Sequence, residues 1–413
     1  MYDYYFQKLK DLKEPIDIIV VGLGFMGFGF VSAVQKISGI RISLIISRRP
    51  QESLKKLNAG GIAARLENNP DQIAQLNKKG IIAVSDNLEL IKTLPGSAVL
   101  EVTGTISYAT QISLLALNSG KNLLTMNPEL QVTVGVRLAN LAKEKGLIFT
   151  DVIGDQPGSL SHLLFHAKMM GFEILIAGNM KRFLNRHATN GEMEKWAKDK
   201  GLSTRQTVSF TDGTKQSIEM VLVGNYFQMG ILQKGMLGPK VEKIQDVLDV
   251  FPWEKIPASG VVDYGIGLSL FPGVFLVASH RDPNQQQYLR YLGLGNGPRY
   301  VLFDPYHLCH LEIPTTISKV FFSRQETINN TRRPFLQSFA HCKRPLKKGE
   351  ILDGIGGDMV YGEIDTIKEI ENRLPVGLSQ GAVLNRDYLI DQAIEIPDII
   401  LPVNEATKLS GLV

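Results

Sequence analysis

Ile18-Ile-Val-Val-Gly22-Leu-Gly24-Phe25-Met26-Gly27 decides the reading of this chain. An apolar, β-branched run meets Gly-x-Gly-x-x-Gly and passes into a helix-compatible stretch over Phe28 to Lys36. Strand, tight turn and helix thus follow in the order of a dinucleotide-binding βαβ unit. Each glycine has an expected task. Gly22 makes the turn, Gly24 lets a pyrophosphate approach the backbone, and Gly27 lets helix and strand pack closely. Phe25 and Met26 lie where unpaired N–H groups at the helix start would face the phosphates. The motif alone also fits a glycine-rich turn in some other α/β unit.

Ile42 to Ile46 reads as a second buried strand ending in Ser47-Arg48-Arg49-Pro50. NAD-binding folds place an acidic residue there for the ribose hydroxyls; two arginines and a serine suit a 2′-phosphate, because a guanidinium fork matches a phosphate in shape and charge. NADP(H) is therefore the expected cofactor. A solvated loop is the alternative for Arg48 and Arg49.

From Ile16 to about Thr150 strands and helices alternate. Strands are expected over Ile18–Val21, Ile42–Ile46, Ile81–Val84, Ala98–Val102, Asn122–Thr125 and Ile148–Thr150, with helices such as Ser107–Ser119 and Thr133–Lys145 between them. Such alternation implies an α/β fold with a doubly wound parallel sheet over residues 1–150. Ligands sit beyond the carboxyl ends of such strands, where Thr103-Gly104-Thr105 and Asn127-Pro128-Glu129 emerge, so both loops are cofactor or substrate candidates. After Asp151 the texture turns α+β: strand-like Phe172–Ala177, Gln206–Phe210 and Val274–Val277 are mixed with helices, and Ser279 to Gln287 reads as surface loop. An α+β domain over 151–341 and a β-rich module of short runs and turns over 342–413 complete the expected organisation.

Composition narrows the function classes. The 413 residues are 44% hydrophobic, enough for two or three domains. Lys and Arg total 45 against 41 Asp and Glu, with no long basic run, which argues against a nucleic-acid partner. Two cysteines, Cys309 and Cys342, supply neither a disulfide framework nor zinc spacing and fit a reducing cytoplasm. Ile16 to Val34 is nearly long and apolar enough for a membrane span, but Asp17 and its glycines suit the dinucleotide motif better, and no membrane association is expected. Phe6, Leu9 and Leu12 suggest a short amphipathic helix before the first strand, in place of a secretory signal.

Met126-Asn-Pro-Glu-Leu, Gly154-Asp-Gln-Pro-Gly158, Val262-Asp-Tyr-Gly-Ile-Gly, Pro272-Gly-Val-Phe, Gly295-Asn-Gly-Pro and Pro305-Tyr-His-Leu follow in this order. Together they resemble the homoserine-dehydrogenase-like proteins that end in a SAF (β-clip) domain, over about Pro15 to Pro397. Within that group the chain is similar to the second class of 1-deoxy-D-xylulose 5-phosphate reductoisomerase, which uses NADPH and a divalent metal in isoprenoid biosynthesis. The resemblance implies a Rossmann domain, a central catalytic and dimerisation domain, and a terminal SAF domain that caps an oligomer's active site or mediates assembly. It also implies a homodimer, and a cleft that gathers Asp155, Lys181, Lys215 and Glu219. Two blocks depart from the family pattern: Gly-Asp-Glu-Pro-Gly becomes Gly-Asp155-Gln156-Pro-Gly, and Gly-Lys-Gly-Lys-Asn becomes Gly-Asn179-Met-Lys181-Arg182. Losing a carboxylate at Gln156 removes a charge that Mg2+ or Mn2+ would want.

Carbonyl reduction needs a hydride donor against the carbonyl carbon and a cation or proton donor at the developing alkoxide. Lys181 is the first choice for that group, with a solvated surface lysine as the alternative. Asp155 has three roles open to it, orienting that lysine, holding a substrate hydroxyl or ligating a metal, besides the plain role of turn cap. Lys215 and Glu219 share one face whether their element is helix or strand, because they are four residues apart. His307, with Asp304 before it and His310 after, offers an acid/base or metal pair, against which stands a packed structural histidine. Three functions stay open: an NADP-dependent oxidoreductase with reductoisomerase chemistry on a small phosphorylated keto compound, a simple dehydrogenase of a sugar or polyol phosphate in carbohydrate or surface-glycan metabolism, and a non-catalytic dinucleotide-responsive binding protein.

Overall fold

A computed structural model describes residues 1–267, 269–330, 333–369 and 372–413. The chain divides into two compact units, Met1–Asp155 with Leu308–Asn329, and Gln156–His307 with Asn330–Val413.

The first unit is built on seven strands: β1 (Ile16–Val21), β2 (Ile40–Ile46), β3 (Ala64–Leu66), β4 (Ile82–Ser85), β5 (Ala98–Glu101), β6 (Asn122–Thr125) and β7 (Phe149–Asp151). All pair parallel, in the order β3-β4-β2-β1-β5-β6-β7. Their continuous apolar sequence is what a parallel strand covered on both faces demands, and Ile18, Val20, Ile45 and Leu100 are fully buried in its core. The connecting helices are α1 (Tyr2–Lys10), α2 (Phe25–Val34), α3 (Pro50–Ala59), α4 (Pro70–Lys78), α5 (Leu90–Thr93), α6 (Ile106–Asn118) and α7 (Pro128–Glu144). Proline opens α3, α4 and α7, where a missing N–H costs nothing. The strand order reverses between β1 and β5, which places the ligand crevice of a Rossmann-type sheet at their carboxyl ends. Helix α2 begins at Phe25, directly after Gly24, and not at Phe28 as expected from sequence. Late in the chain a short helix, Ile313–Ser318, returns to this unit. There Ile153 donates its N–H to Thr316 Oγ1 at 2.7 Å, and Asp151 donates to the Ile328 carbonyl at 2.8 Å.

The second unit contains a mixed sheet, β8 (Glu173–Lys181), β9 (Val261–Ile266), β10 (Val274–Ser279) and β11 (Arg299–Asp304), in the order β11-β10-β8-β9. Only β8 and β9 run parallel. Helices α8 (Gln156–Met169), α9 (Asn190–Lys200), α10 (Thr204–Thr211), α11 (Thr214–Phe227), α12 (Val247–Val250) and α13 (Pro283–Tyr291) accompany it. Helix α11 is buried almost all round, for it also carries the antiparallel pair β12 (Leu336–Cys342) and β13 (Val360–Thr366). Gly362 N donates to Thr214 Oγ1 at 2.8 Å and Ser217 Oγ donates to the Gly362 carbonyl at 3.0 Å. A short pair, β14 (Val383–Leu384) and β15 (Ile399–Ile400), completes the β-rich end of the chain.

Two expectations are corrected here. Gln206–Phe210 is not a strand but lies within α10: Ser203 caps the helix by accepting from Gln206 N, and Thr207, Val208 and Thr211 bury one helical face, so helical packing overrides their β-branched propensity. Ser279 to Gln287 is not all surface loop: Ser279 is buried as the last residue of β10. Asp282 caps α13 by accepting from Asn284 N, and Pro283 supplies its first residue.

Candidate functional site

In the first unit the glycine turn is built as its sequence requires. Gly22 has φ +104°. A Cβ on Gly27 would lie 2.3 Å from the Gly22 carbonyl oxygen, so only glycine lets α2 pack on the turn. A Cβ on Gly24 would meet nothing within 4 Å. Gly22 and Gly27 are therefore fixed by the protein itself, and Gly24 faces the open space that a pyrophosphate would need, which fits a dinucleotide. Phe25 is exposed and Met26 half-buried beside it. Lys56 of α3 adds a cation that the sequence reading missed: its ammonium donates to the Gly24 carbonyl at 3.2 Å and lies 4.6 Å over the Phe28 ring.

The three polar residues after β2 part company. Ser47 is tied to Ser53 at 2.8 Å, and Arg48 lies 5.5 Å over the Tyr108 ring of α6. Arg49 points into solvent, 78% exposed, and pairs with Glu52 at 3.0 Å.

Beyond β5 and β6, Thr103, Gly104 and Asn127 gather around a residue that sequence reasoning passed over, Glu101. It is fully buried and accepts from Thr103 N at 2.6 Å, Thr103 Oγ1 at 2.5 Å, Thr125 Oγ1 at 2.8 Å and Asn127 Nδ2 at 3.2 Å. Burial pushes its pKa up, and the hydrogen bonds pull it back. Glu129 stands in the first turn of α7, where its charge favours the helix N-terminus. Asp155, 5% exposed, closes this unit after Gly154, whose φ is +98°. His310 is packed against α2, its ring 2.7 Å from where a Cβ on Gly29 would stand, and burial lowers its pKa.

The second unit assembles a polar network on β8, α8 and α11. Glu219, 1% exposed, accepts from Asn179 Nδ2 at 2.8 Å and has Lys215 Nζ at 3.5 Å and Lys181 Nζ at 3.7 Å. The lysines are only 17% and 16% exposed. Because α11 is a helix, the four-residue spacing of Lys215 and Glu219 brings them together. Gln156 Oε1 accepts from Lys181 Nζ at 3.2 Å and from Asn179 Nδ2 at 3.0 Å, while Gln216 donates to Asn179 Oδ1. The two departures from the family pattern, Gln156 and Asn179, therefore touch. An amide pair occupies a place where the pattern has a carboxylate and an ammonium. Within this unit two lysines face one carboxylate.

Elsewhere in this unit Asp263, fully buried, accepts from Leu237 N, Gly238 N and Tyr264 N, and burial raises its pKa to about 6. It is an anchor for the 237–238 turn. His307 follows β11, half-buried. Lys181, Lys215 and Glu219 are brought together; Asp155 ends the first unit directly before Gln156, and His307 follows β11. Among the described residues no group of three or more His, Cys, Asp or Glu side chains could hold a metal ion. With an amide at position 156, the donor set does not fit Mg2+ or Mn2+. No helix among the described residues is long and apolar enough to cross a membrane.

Comparison with known proteins bears on the second unit first. Residues 154–313 match the family described as "Oxidoreductase DRL, catalytic domain". No curated protein matches the chain. Among solved structures it is similar to scyllo-inositol dehydrogenase from Lactobacillus casei, with 12% identity, 76% of this chain and 91% of that one covered, and a TM-score of 0.45. It is also similar to dihydrodipicolinate reductase from Paenisporosarcina sp. TG-14, with 14% identity, coverage of 76% and 97%, and a TM-score of 0.38. Myo-inositol 2-dehydrogenase from Lactobacillus plantarum gives 14% identity, coverage of 65% and 75%, and a TM-score of 0.36. At these values the solved structures carry no argument about activity, and it is residues 154–313, with the Lys181, Lys215 and Glu219 network inside them, that are similar to an oxidoreductase catalytic domain.

Proposed function

We propose that the protein is an NADPH-dependent oxidoreductase of a small, anionic, phosphorylated keto or polyol compound. The observation that carries the proposal is the buried network in which Lys181 and Lys215 meet Glu219, within the segment similar to an oxidoreductase catalytic domain. When bound, the reduced nicotinamide supplies the hydride. Lys181 Nζ, held by Gln156 and Glu219, presents a cation and a proton to an oxygen that becomes an alkoxide. Lys215 receives the anionic end of the substrate. Glu219 keeps both ammonium groups in place.

The most specific version is reductoisomerase chemistry on 1-deoxy-D-xylulose 5-phosphate. Simple reduction of a sugar or polyol phosphate is the second reading, favoured by the uncharged Gln156–Asn179 pair. The test is NADPH consumption against a panel of ketose phosphates, with and without magnesium or manganese. Turnover of 1-deoxy-D-xylulose 5-phosphate supports the first version and turnover of another member alone supports the second. Failure of the whole panel, with NADPH still bound, overturns the substrate class and leaves a dinucleotide-responsive binding protein. We further propose a two-fold homodimer through the central domain, read by light scattering at micromolar concentration, where a clean monomer overturns it.

A further inference from the structure

Glu101 ends β5 at the carboxyl edge of the parallel sheet, and its side chain is wholly buried. A carboxylate in such a place is tolerated only where hydrogen bonds satisfy it. Its four bonds come from two loops: Thr103 N and Oγ1 from the loop after β5, and Thr125 Oγ1 and Asn127 Nδ2 from the end of β6 and the loop after it. None of these donors is charged. Thr103 spends its hydroxyl proton on Glu101, so Thr105 Oγ1, 3.4 Å away, is the donor between the two threonines. Asn127 uses its amide nitrogen on Glu101 and its oxygen on Leu130 N at 3.0 Å, which caps α7. One carboxylate thereby joins Thr105, Thr103, Thr125, Asn127 and the start of α7. The register that places Glu101 opposite Thr125 makes this possible.

The sheet order decides what these loops meet. With β2 on one side of β1 and β5-β6 on the other, a dinucleotide lying across the switch point puts its adenosine half by Ser47 and Arg48, and its other half over β5 and β6. We propose that Glu101 is a positioning residue, which locks the two loops after β5 and β6 into the one geometry that receives the nicotinamide half of the bound dinucleotide. The inference rests on the dinucleotide reading given under Proposed function.

A role in the nicotinamide half, as distinct from general stability, predicts a selective loss. Dissociation constants for NADPH and for 2′,5′-ADP, which lacks the nicotinamide half, are measured by calorimetry on the full chain, its Glu101→Gln variant and its Thr125→Val variant. The glutamine keeps one acceptor oxygen and turns an NH2 group toward other donors, so NADPH affinity is expected to fall about tenfold while 2′,5′-ADP stays within about twofold. Thr125→Val keeps the carboxylate and removes one donor, with an expected selective loss of about threefold. Should Glu101→Gln fail to fold, the valine variant decides alone. Equal losses for both ligands, or no loss for NADPH, overturn the inference while leaving dinucleotide binding intact. Failure of the unmodified protein to bind either ligand overturns the dinucleotide reading and the inference with it.

Discussion

Glu101 and Glu219 are both buried carboxylates, one in each unit, and they are satisfied in opposite ways. Glu101 accepts only from uncharged donors that belong to loops, so its effect is to fix backbone. Glu219 is shared between two lysines and an asparagine, so its effect is to hold charge. The first arrangement fixes two loops; the second gathers two cations. Buried polar groups of the same chemical type thus do different work according to whether their partners can carry a proton away.

The largest effect is expected at Lys181. Lys181→Ala is expected to lower kcat by about 10²-fold or more with NADPH affinity nearly unchanged, the loss typical of a removed general acid or electrophilic partner. Equal loss of cofactor affinity would mean that the second network serves binding and not chemistry. The amide pair offers the next test, by chemical denaturation. Asn179→Lys adds a third cation beside Glu219 and is expected to destabilise by about 3 kcal/mol, and Gln156→Glu in that background is expected to recover much of it by pairing the new charge. Absence of recovery would show that the two positions act independently.

In the first unit the expected effect is about tenfold. Arg48→Ala weakens NADPH by that factor and leaves NADH little changed, whereas Arg49→Ala, removing a solvated side chain already paired to Glu52, stays within about twofold. Equal affinities for the two cofactors in the unmodified protein would remove the basis for NADP(H).

The smallest effect is one of acidity. Burial, with the Lys234 charge added, pushes the pKa of His341 well below its ordinary 6.5; Arg373 acts in the same sense and Glu363 against it. The unfolded chain then binds a proton that the native state refuses, so this contribution to stability is complete above pH 6.5 and is lost as pH falls. Asp263, raised to about 6, has the opposite sign, its contribution being lost as pH rises from 4 to 6. Comparing the protein with His341→Gln isolates the histidine. As pH falls below 6.5 the unmodified protein should lose stability relative to the variant by about 1.4 kcal/mol per pH unit. A difference flat in pH would mean that His341 carries no such penalty.

The two units were unequally legible in the sequence. Six of the seven strands of the parallel sheet fall within two residues of expectation, because a strand covered on both faces is an unbroken apolar run and carries its own boundaries; β3, a three-residue edge strand with two of its residues exposed, lacks that run and was missed. Gln206–Phe210 was misread because the composition of a short segment does not reveal which neighbours it packs against. Lys215 and Glu219 were legible as a pair because spacing alone puts them on one face. Glu101 was not: one glutamate after Ala98-Val-Leu has the look of any strand end. Its partner Thr125 becomes visible only when β5 and β6 are in register, a relation between strands that no local pattern encodes.

The return of residues 308–329 to the first unit has a consequence for synthesis. Thr150 Oγ1 is reached by Thr327 N at 2.7 Å, and Tyr5 lies against Ser323 and Phe322. When the ribosome has made Asp155, all seven strands of the parallel sheet exist, but the segment that covers β7 does not. At about 5–20 residues per second, the nascent sheet waits roughly ten to thirty seconds for it, while residues 156–307 are made. A chain cut at Asp155 is left in that unfinished state for good, so the first unit as a whole is not obtained by such a truncation.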